Sequence, residues 1–480
     1  MSLEKLGEDE WVEQLAARQA RRGPLGRILA RLEQANPILL GGALLAAAAL
    51  LPLLTANEYI LRVAGNVCLF ALLALGLNVV VGYAGLLDLG YVAFYGVGGY
   101  SYALLASPQL GLHLPSWLAV PLVVVIAAGA GLLLGLPSLR LSGDYLAIVT
   151  LGFAQIFVLL ANTMDKVQLP WLAEPLNLTG GPNGITPVDP ISLFGLRLTS
   201  TSHYFYLLLA ALALLLLLLR NLNQSPTGRA WRALREDTLA AQAMGMPVRR
   251  LKLLAFVVGA AIAGFSGSIF AAWQTAVFPA NFDVTLLITL YAMVVLGGVG
   301  SLPGAVAGAL VLVVLPELLR GPDTARLLFY GGVAATTVLL ARPRWHGLAL
   351  LASVLVAGFL LRLVATASWP GLLGPPPVPV ASGLGALAQS WLIFPLDAKT
   401  VGNILFLVVV ALLMLASRLR HAGLRFALLV PTLYLLAFVW ETRLAVEPSV
   451  TRLLFLGAIL VLLMTYRPQG IFGKPRVEVM

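Results

Sequence analysis

The chain has 480 residues, of which 60% are apolar and only 11% are charged. Soluble domains contain about 25% charged residues, so this composition excludes an ordinary water-soluble domain and places the chain in lipid. The formal net charge of +10 needs a separate explanation. The single cysteine, Cys68, cannot form a disulfide framework or a thiolate metal site within the chain.

Long apolar stretches follow one another along the chain, and each is close to the ~20 residues that cross a bilayer core. Fourteen such stretches begin near residues 37, 59, 89, 117, 145, 203, 252, 282, 304, 325, 345, 401, 422 and 451. They are unbroken runs of Leu, Ala, Val and Gly, without the residue-by-residue alternation of a membrane β-barrel. The sequence therefore predicts an all-α fold, a polytopic transmembrane helix bundle of about 14 spans.

The first 36 residues precede any predicted span. Acidic residues between Glu4 and Glu13 are unlike the start of a secretory signal. Four apolar residues then follow the spacing of one helix face: Leu25, Ile28, Leu29 and Leu32. This spacing fits an amphipathic helix on the membrane surface, and it fits an ordinary solvated helix equally well.

The basic residues fall mostly on one side of the predicted bilayer. If the N-terminus is cytoplasmic and the spans alternate, 22 of the 31 lysines and arginines lie inside the cell. An excess of this size follows the positive-inside rule. It predicts that the N- and C-termini are both cytoplasmic, and it explains the net charge without a nucleic-acid partner.

A short repeat divides the C-terminal part of the chain. The segment Arg326-Leu-Leu-Phe-Tyr-Gly331 reappears as Arg452-Leu-Leu-Phe-Leu-Gly457, and an Arg-Pro pair follows each copy. The joint match indicates a local duplication. We predict a cytoplasmic amphipathic segment at 1–36, a membrane core at 37–345, inserted transmembrane helices at 346–450, and a final span with a cytoplasmic tail at 451–480.

The most informative loop is cytoplasmic, at residues 220–251. Nearly every residue from Ala230 to Met244 favours helix, Gly245 is suited to end it, and Pro247 prevents its continuation. We therefore predict one short charged helix in water, although an ordinary basic connector is the alternative. A partner protein could contact its small and charged residues, which are Arg235, Glu236, Asp237, Ala240, Ala241 and Gly245.

Two stretches of the sequence resemble a known family. The stretch Arg235-Glu-Asp-x-x-Ala240-Ala-x-Ala-Met-Gly245 resembles the coupling motif of permeases in ATP-binding-cassette importers, which seats in a groove of the ATPase. Residues 76–100, beginning Gly-Leu-Asn-Val-Val-Val-Gly, are similar to the signature of branched-chain amino-acid permeases. The Gly-Pro-Asn-Gly-Ile element at 181–185 and the terminal Arg-Pro-Gln-Gly-Ile-Phe-Gly at 467–473 also fit. Ordinary members of the family lack the block between the two repeats.

The resemblance implies a transport subunit in a bacterial inner membrane rather than an enzyme. Its implied partners are a second permease subunit forming a heterodimer, two cytoplasmic ATPases that bind ATP, and an external substrate-binding protein. The implied cargo is a branched-chain or other neutral amino acid, while urea and short amides stay open. The chain has no Gly-x-x-x-x-Gly-Lys-Ser/Thr phosphate loop, so we predict no cofactor and no ATP site in it.

The signature segment supplies candidates for the translocation path, because interrupted helices line substrate cavities in other transporters. These candidates are Asn78, Gly82, Gly90, Gly96, Gly98 and Gly99. Charges near span ends, such as Asp88 and Arg326, are predicted to be solvated or to snorkel. The scarcity of mid-membrane charge disfavours an ion-coupled secondary transporter, and the dispersed histidines disfavour a metal site or a membrane enzyme. Ala263, Gly267 and Ala271 predict a close helix-packing face.

Overall fold

The computed structural model describes residues 37–473, with gaps at 139–140, 142, 169–175, 194–195, 342–343, 369–370, 372, 378, 380–382, 420, 445, 448–449 and most of 451–468. The predicted amphipathic segment at 1–36 and most of the final predicted span therefore lie outside the described residues. The chain divides into two compact units, Met1–Leu290 and Tyr291–Met480.

The described part of the first unit is helical apart from a small hairpin and two isolated β-bridges in its connections. Its helices are α1 (Pro37–Ala49), α2 (Leu51–Leu54), α3 (Glu58–Leu77), α4 (Tyr91–Leu105), α5 (Ser116–Ser138), α6 (Asp144–Thr163), α7 (Thr201–Gln224), α8 (Pro226–Glu236), α9 (Thr238–Ala243) and α10 (Val248–Gln274). A π-helical turn at Asn78–Tyr83 continues α3, and 3₁₀ turns lie at Gly181–Asn183 and Pro279–Phe282. The hairpin pairs β1 (Ser192–Leu193) antiparallel with β2 (Leu196–Arg197).

The second unit is also built from helices. Helix α11 (Val284–Gly297) begins in the first unit and ends in the second. It is followed by α12 (Leu302–Leu318), α13 (Pro322–Leu340), α14 (Arg344–Ser368), α15 (Gly383–Trp391), α16 (Ala398–Arg418) and α17 (Ala422–Val439). A second π-helical turn at Trp440–Leu444 continues α17.

The described residues contain eight helices that are long and apolar enough to cross a membrane, or nine if the bent pair α12 and α13 is counted as one span. The helical, multi-span prediction is confirmed at this level, whereas the count of fourteen is not. One reason is that some predicted spans form short helices, since the stretch beginning near residue 89 gives only the 15 residues of α4. Another is the sharp bend of 114° between α12 and α13.

Polar side chains fix where several helices begin. Asn57 accepts a hydrogen bond from the Tyr59 amide at 3.0 Å before α3, and Ser200 accepts one from the His203 amide before α7. Ser225 does the same for the Gly228 amide before α8, where Pro226 takes the first helical position. Each oxygen satisfies an amide that has no partner within its own helix. The span boundaries are therefore set by local sequence.

Small residues let α10 pack closely on α4 and α5. A Cβ placed on Gly98 of α4 would overlap the backbone of Gly264 in α10, and one on Gly267 would overlap the Tyr95 carbonyl. A Cβ on Gly131 of α5 would lie 2.6 Å from that of Ala260. Helices in lipid gain contact area by such close approach. The packing face predicted from Ala263, Gly267 and Ala271 is confirmed, because Gly267 meets α4 and both alanines are fully buried.

The connection between α6 and α7 forms backbone hydrogen bonds with the segments that follow α4 and α10. The Ile185 and Val277 backbones exchange hydrogen bonds of 2.9 and 3.0 Å, and the Val188 amide donates to the Thr275 carbonyl. The Asp189 amide donates to the Ala106 carbonyl at 2.7 Å. This long connection therefore has defined contacts over its Gly-Pro-Asn-Gly turn and the residues that follow.

An ion pair is buried inside the second unit. The Arg326 guanidinium donates from Nε to Glu441 Oε1 at 3.0 Å and from Nη2 to Oε2 at 2.9 Å. Both side chains are only 1% exposed, and the Tyr330 hydroxyl donates to Glu441 Oε1 at 3.2 Å. The prediction that Arg326 is solvated at a span end is wrong. It is buried because a carboxylate from 115 residues further along the chain neutralises it.

The tail motif of the second unit contacts the end of α11. The amides of Ile471 and Phe472 donate to the carbonyls of Leu296 and Gly297, both at 2.9 Å. A Cβ on Gly470 would lie 2.6 Å from the Gly298 Cα, and both glycines have positive φ, +82° and +113°. These glycines therefore allow two turns to meet through their backbones.

Candidate functional site: the α7–α10 loop and the signature segment

The loop between α7 and α10 forms two helices rather than the single helix predicted from its sequence. Asp237 separates α8 from α9 and has an extended backbone, with φ −151°. Its Oδ1 accepts hydrogen bonds from the amides of Leu239 and Ala240 at 2.8 and 3.0 Å. The prediction of one continuous helix is therefore wrong, because Asp237 caps a new helix instead of extending the old one.

Helix α8 is fixed to the body of the first unit. Trp231 is fully buried, and its Nε1 donates to the Leu251 carbonyl of α10 at 2.8 Å. Leu234, one turn along the helix, is 3% exposed. Sequence analysis did not single out Trp231, although an indole within a charged helix is a signal for an anchoring contact.

Arg235 points toward the signature segment. Its guanidinium donates to the carbonyl of Gly82, and its aliphatic part lies against Gly85. Glu236 and Asp237, its predicted companions at a partner surface, are exposed. The structure thus separates these charges into one that faces the helices of the first unit and two that are exposed.

Helix α9 presents apolar side chains to its surroundings. Leu239 is 78% exposed and Met244 is 81% exposed, although both lie in the loop between two spans. Ala240 is exposed, whereas Ala241 is buried at 4%. Gly245 has φ +78° and ends the helix in the left-handed conformation that its position predicted. Every residue from Glu236 to Gly245 except Ala241 is exposed, and the large apolar side chains among them are Leu239 and Met244, which the sequence reading missed.

The signature segment is interrupted between α3 and α4. Asn78 is fully buried at the start of the π-helical turn. Residues 84–90 are not helical, and α4 begins at Tyr91. Asp88 is also fully buried, and its Oδ1 accepts a hydrogen bond from the Gly90 amide at 2.8 Å. Its predicted solvation is therefore wrong. The preceding bend turns the carboxylate inward.

Three of the remaining path candidates, Gly96, Gly98 and Gly99, lie within the continuous helix α4. Gly96 contacts the ring of Phe157, Gly98 contacts Gly264, and Gly99 contacts the ring of Phe282. The helix is not interrupted at these glycines, contrary to the sequence-based expectation. Gly90 meets the Thr150 carbonyl, where a Cβ would lie at 2.7 Å. The structure brings Gly82 next to Arg235 and places the α4 glycines in helix packing, while their role along a path stays a prediction.

The described part of the chain contains no candidate metal site. No group of three His, Cys, Asp or Glu side chains comes together there in a way that could hold a metal ion. The charged residue that sequence analysis missed most clearly is Glu441, which binds Arg326. The sequence pattern that could have indicated Glu441 is an acidic residue directly after the apolar run of α17.

The long apolar helices and the loop that projects from them define a multi-pass membrane protein. A family model described as "Branched-chain amino acid transport system / permease component" matches residues 59–340, and the chain belongs to that family. The matched range ends at the last residue of α13.

Several curated proteins are similar to the chain. It is 40% identical over 300 residues to the high-affinity branched-chain amino acid transport system permease protein LivM of Escherichia coli, covering 58% of this chain and 67% of that one. It is 28% identical to the LivH permease protein of Salmonella typhimurium, covering 52% and 81%. It is 28% identical to a probable LivM of Methanocaldococcus jannaschii, covering 51% and 71%. No solved structure matches the chain.

Proposed function

We propose that the chain is one permease subunit of an ATP-driven importer that carries branched-chain amino acids into the cell. The relatives named LivM and LivH are permease proteins of branched-chain amino acid transport systems. Because LivM and LivH are different permease proteins of such systems, we propose that this chain forms a heterodimer with a second permease. The same assembly would include two ATPase subunits and an external substrate-binding protein.

The proposal includes the orientation of the chain. We propose that the N- and C-termini are cytoplasmic, and the excess of basic residues on one side of the predicted spans supports this orientation. The loop carrying α8 and α9 then faces the cytoplasm, where ATP is available to partner subunits. The membrane would be the inner membrane of a bacterium.

The observation that carries the proposal is the exposed apolar face of α9. Leu239 and Met244 project from a short helix outside the spans, while the adjoining helix α8 is anchored through Trp231. Exposed apolar residues grouped on a rigid support mark contact sites for other proteins. Burying one such side chain contributes about 1.5–3 kcal/mol, so the two together would supply part of the free energy that holds a docked subunit.

The test is to replace Leu239 or Met244 with aspartate and to measure which proteins accompany the tagged chain from its native membrane. We expect each substitution to reduce the recovered ATPase at least about tenfold, because the contact loses apolar burial and gains a charge to desolvate. Leu112→Asp is the matched control, since Leu112 is a 51% exposed leucine in the α4–α5 connection. Equal recovery in Leu239→Asp, Met244→Asp and the control would contradict the docking role.

Two other functions are distinguished by the same preparation. An ion-coupled secondary transporter would be recovered without phosphate-loop ATPases, and its uptake would follow an ion gradient. A permease for urea or short amides would be recovered with ATPases but would show no ATP-dependent uptake of labelled leucine. Family membership and the exposed face of α9 favour the amino-acid importer.

A further inference from the structure

Arg235 joins the exposed cytoplasmic loop to the signature segment. Its guanidinium donates to the Gly82 carbonyl, and its stem lies against Gly85. Gly85 has φ +69°, and a Cβ there would lie 2.9 Å from Arg235 Cγ and 3.2 Å from Arg235 Cα. Glycine at this position therefore allows both the left-handed backbone and the close approach of Arg235.

The carbonyl that Arg235 contacts lies at the end of a helix. The last carbonyls of a helix have no partner within it and form the negative end of its dipole. A guanidinium is suited to this position because it is cationic and carries several donors. The helix here ends in a π turn, with the Ala84 amide donating to the Val79 carbonyl at 3.2 Å and the Leu86 amide donating to the Val80 carbonyl at 3.0 Å.

A π turn differs from an α turn by one residue of register, and such turns are frequent at functional sites. This end of the α3 span can therefore change its register without unfolding the span. The buried Asn78 begins the π turn, and the buried Asp88 lies in the bend that follows it. A displacement of Gly82 would thus act on the part of the signature where the helix is interrupted.

The other contact of α8 lies one turn away from Arg235. Trp231 is held to α10 through its bond to the Leu251 carbonyl. Helix α8 therefore contacts α10 through Trp231 and the signature segment through Arg235, while α9 continues from it toward the exposed apolar face. A force on α9 would reach Gly82 through Arg235, with the buried Trp231 as the fixed point.

We propose that Arg235 is a positioning residue that transmits movement of α9 to the π turn at Asn78–Tyr83. The inference rests on the proposed function, because it requires an ATPase bound at α9. ATP binding would have to favour one arrangement of the α8–α9 loop over another for any displacement to occur. Through its contact with Gly82, Arg235 would make the register of the π turn at the end of α3 depend on the arrangement of the α8–α9 loop.

The experiment uses the complex purified with its ATPases and reconstituted in liposomes, with labelled leucine, ATP and the substrate-binding protein. Uptake and ATP hydrolysis are measured in the same preparation. We expect Arg235→Ala to lower leucine uptake per ATP hydrolysed by about tenfold or more, the scale expected for one charge-assisted hydrogen bond. ATPase recovery and the unfolding temperature should stay unchanged. Arg235→Lys keeps a cationic donor and should restore part of the coupling.

A second pair of variants tests the contact from its other side. Gly85→Ala places a methyl group against Arg235, whereas Gly111→Ala meets nothing within 4 Å. Both glycines have positive φ, +69° and +66°, so alanine is strained in either backbone and only the contact with Arg235 differs. We expect only Gly85→Ala to lower the uptake per ATP.

Two results would overturn the inference. Loss of ATPase from the Arg235→Ala complex would make Arg235 a docking residue. Equal losses of uptake and hydrolysis together with a lower unfolding temperature would make it a structural one. Failure of the proposed function is recognised separately, because the unsubstituted chain would then be recovered without ATPases or would show no ATP-dependent leucine uptake.

Discussion

Glu441→Gln should destabilise the second unit by about 3–5 kcal/mol, the usual effect of removing one partner from a buried ion pair. The carboxylate accepts three hydrogen bonds from Arg326 and one from Tyr330, and both charged side chains are almost fully buried. Without the carboxylate, the buried guanidinium keeps, among the described residues, only Asp323 as a counter-charge, a largely exposed residue whose Oδ1 lies 3.5 Å from Nη1. Arg326→Gln should have an effect of similar size for the opposite reason.

The measurement is the temperature at which the detergent-purified chain loses its monodisperse elution peak. A unit of this size shifts by roughly 2–4 °C per kcal/mol, so we expect each single variant to unfold at least about 6 °C earlier. Arg320→Gln is the control, because Arg320 pairs with Glu317 at 3.1 Å but is 61% exposed. The double variant Arg326→Gln/Glu441→Gln should lose less than either single variant, since it leaves no buried charge. Single variants that behave like Arg320→Gln would refute the expectation.

Gly98→Ala should separate α4 from α10. The added methyl group would overlap the backbone of Gly264, which cannot move aside as a flexible side chain could. Overfilling a packed helix crossing costs about 1–3 kcal/mol and occasionally more. Gly129→Ala in α5 is the control, because its Cβ would meet nothing within 4 Å. That substitution should be neutral or stabilising, since alanine favours helix over glycine by up to about 1 kcal/mol.

The accessibility of the Cys68 thiol to a dye distinguishes Gly98→Ala from Gly129→Ala. It is the single cysteine of the chain and is 5% exposed within the first unit. A thiol-reactive dye should therefore label it only when the surrounding helices open. We expect Gly98→Ala to be labelled at a clearly lower temperature than Gly129→Ala, and labelling at the same temperature would show that the α4–α10 crossing tolerates the methyl group.

The sequence was sufficient for features that depend on local composition. Apolar runs predicted a helical, multi-span protein, and the order of Gly245 and Pro247 predicted where the helix in the α7–α10 loop ends. Small residues at a spacing of four predicted the face by which α10 packs. These predictions held because a membrane span requires a long apolar run and a helix end requires particular residues.

The features that were missed depend on residues far apart in the chain or on competing local signals. Arg235 binds a carbonyl 153 positions away, and Glu441 lies 115 positions from Arg326, so no sequence window contains either pair. Asp237 was read as part of a helix because its neighbours favour helix. Aspartate is also among the preferred residues for beginning one, and here that preference prevailed.

The contact between the tail and α11 also affects the order in which the protein can fold. Leu296 and Gly297 leave the ribosome first, but Ile471 and Phe472, which bind their carbonyls, follow only after α12 to α17 have been translated. At about 5–20 residues per second, that interval is roughly 10–35 s. During biosynthesis the end of α11 therefore lacks its native hydrogen-bond donors until α12 to α17 have been made.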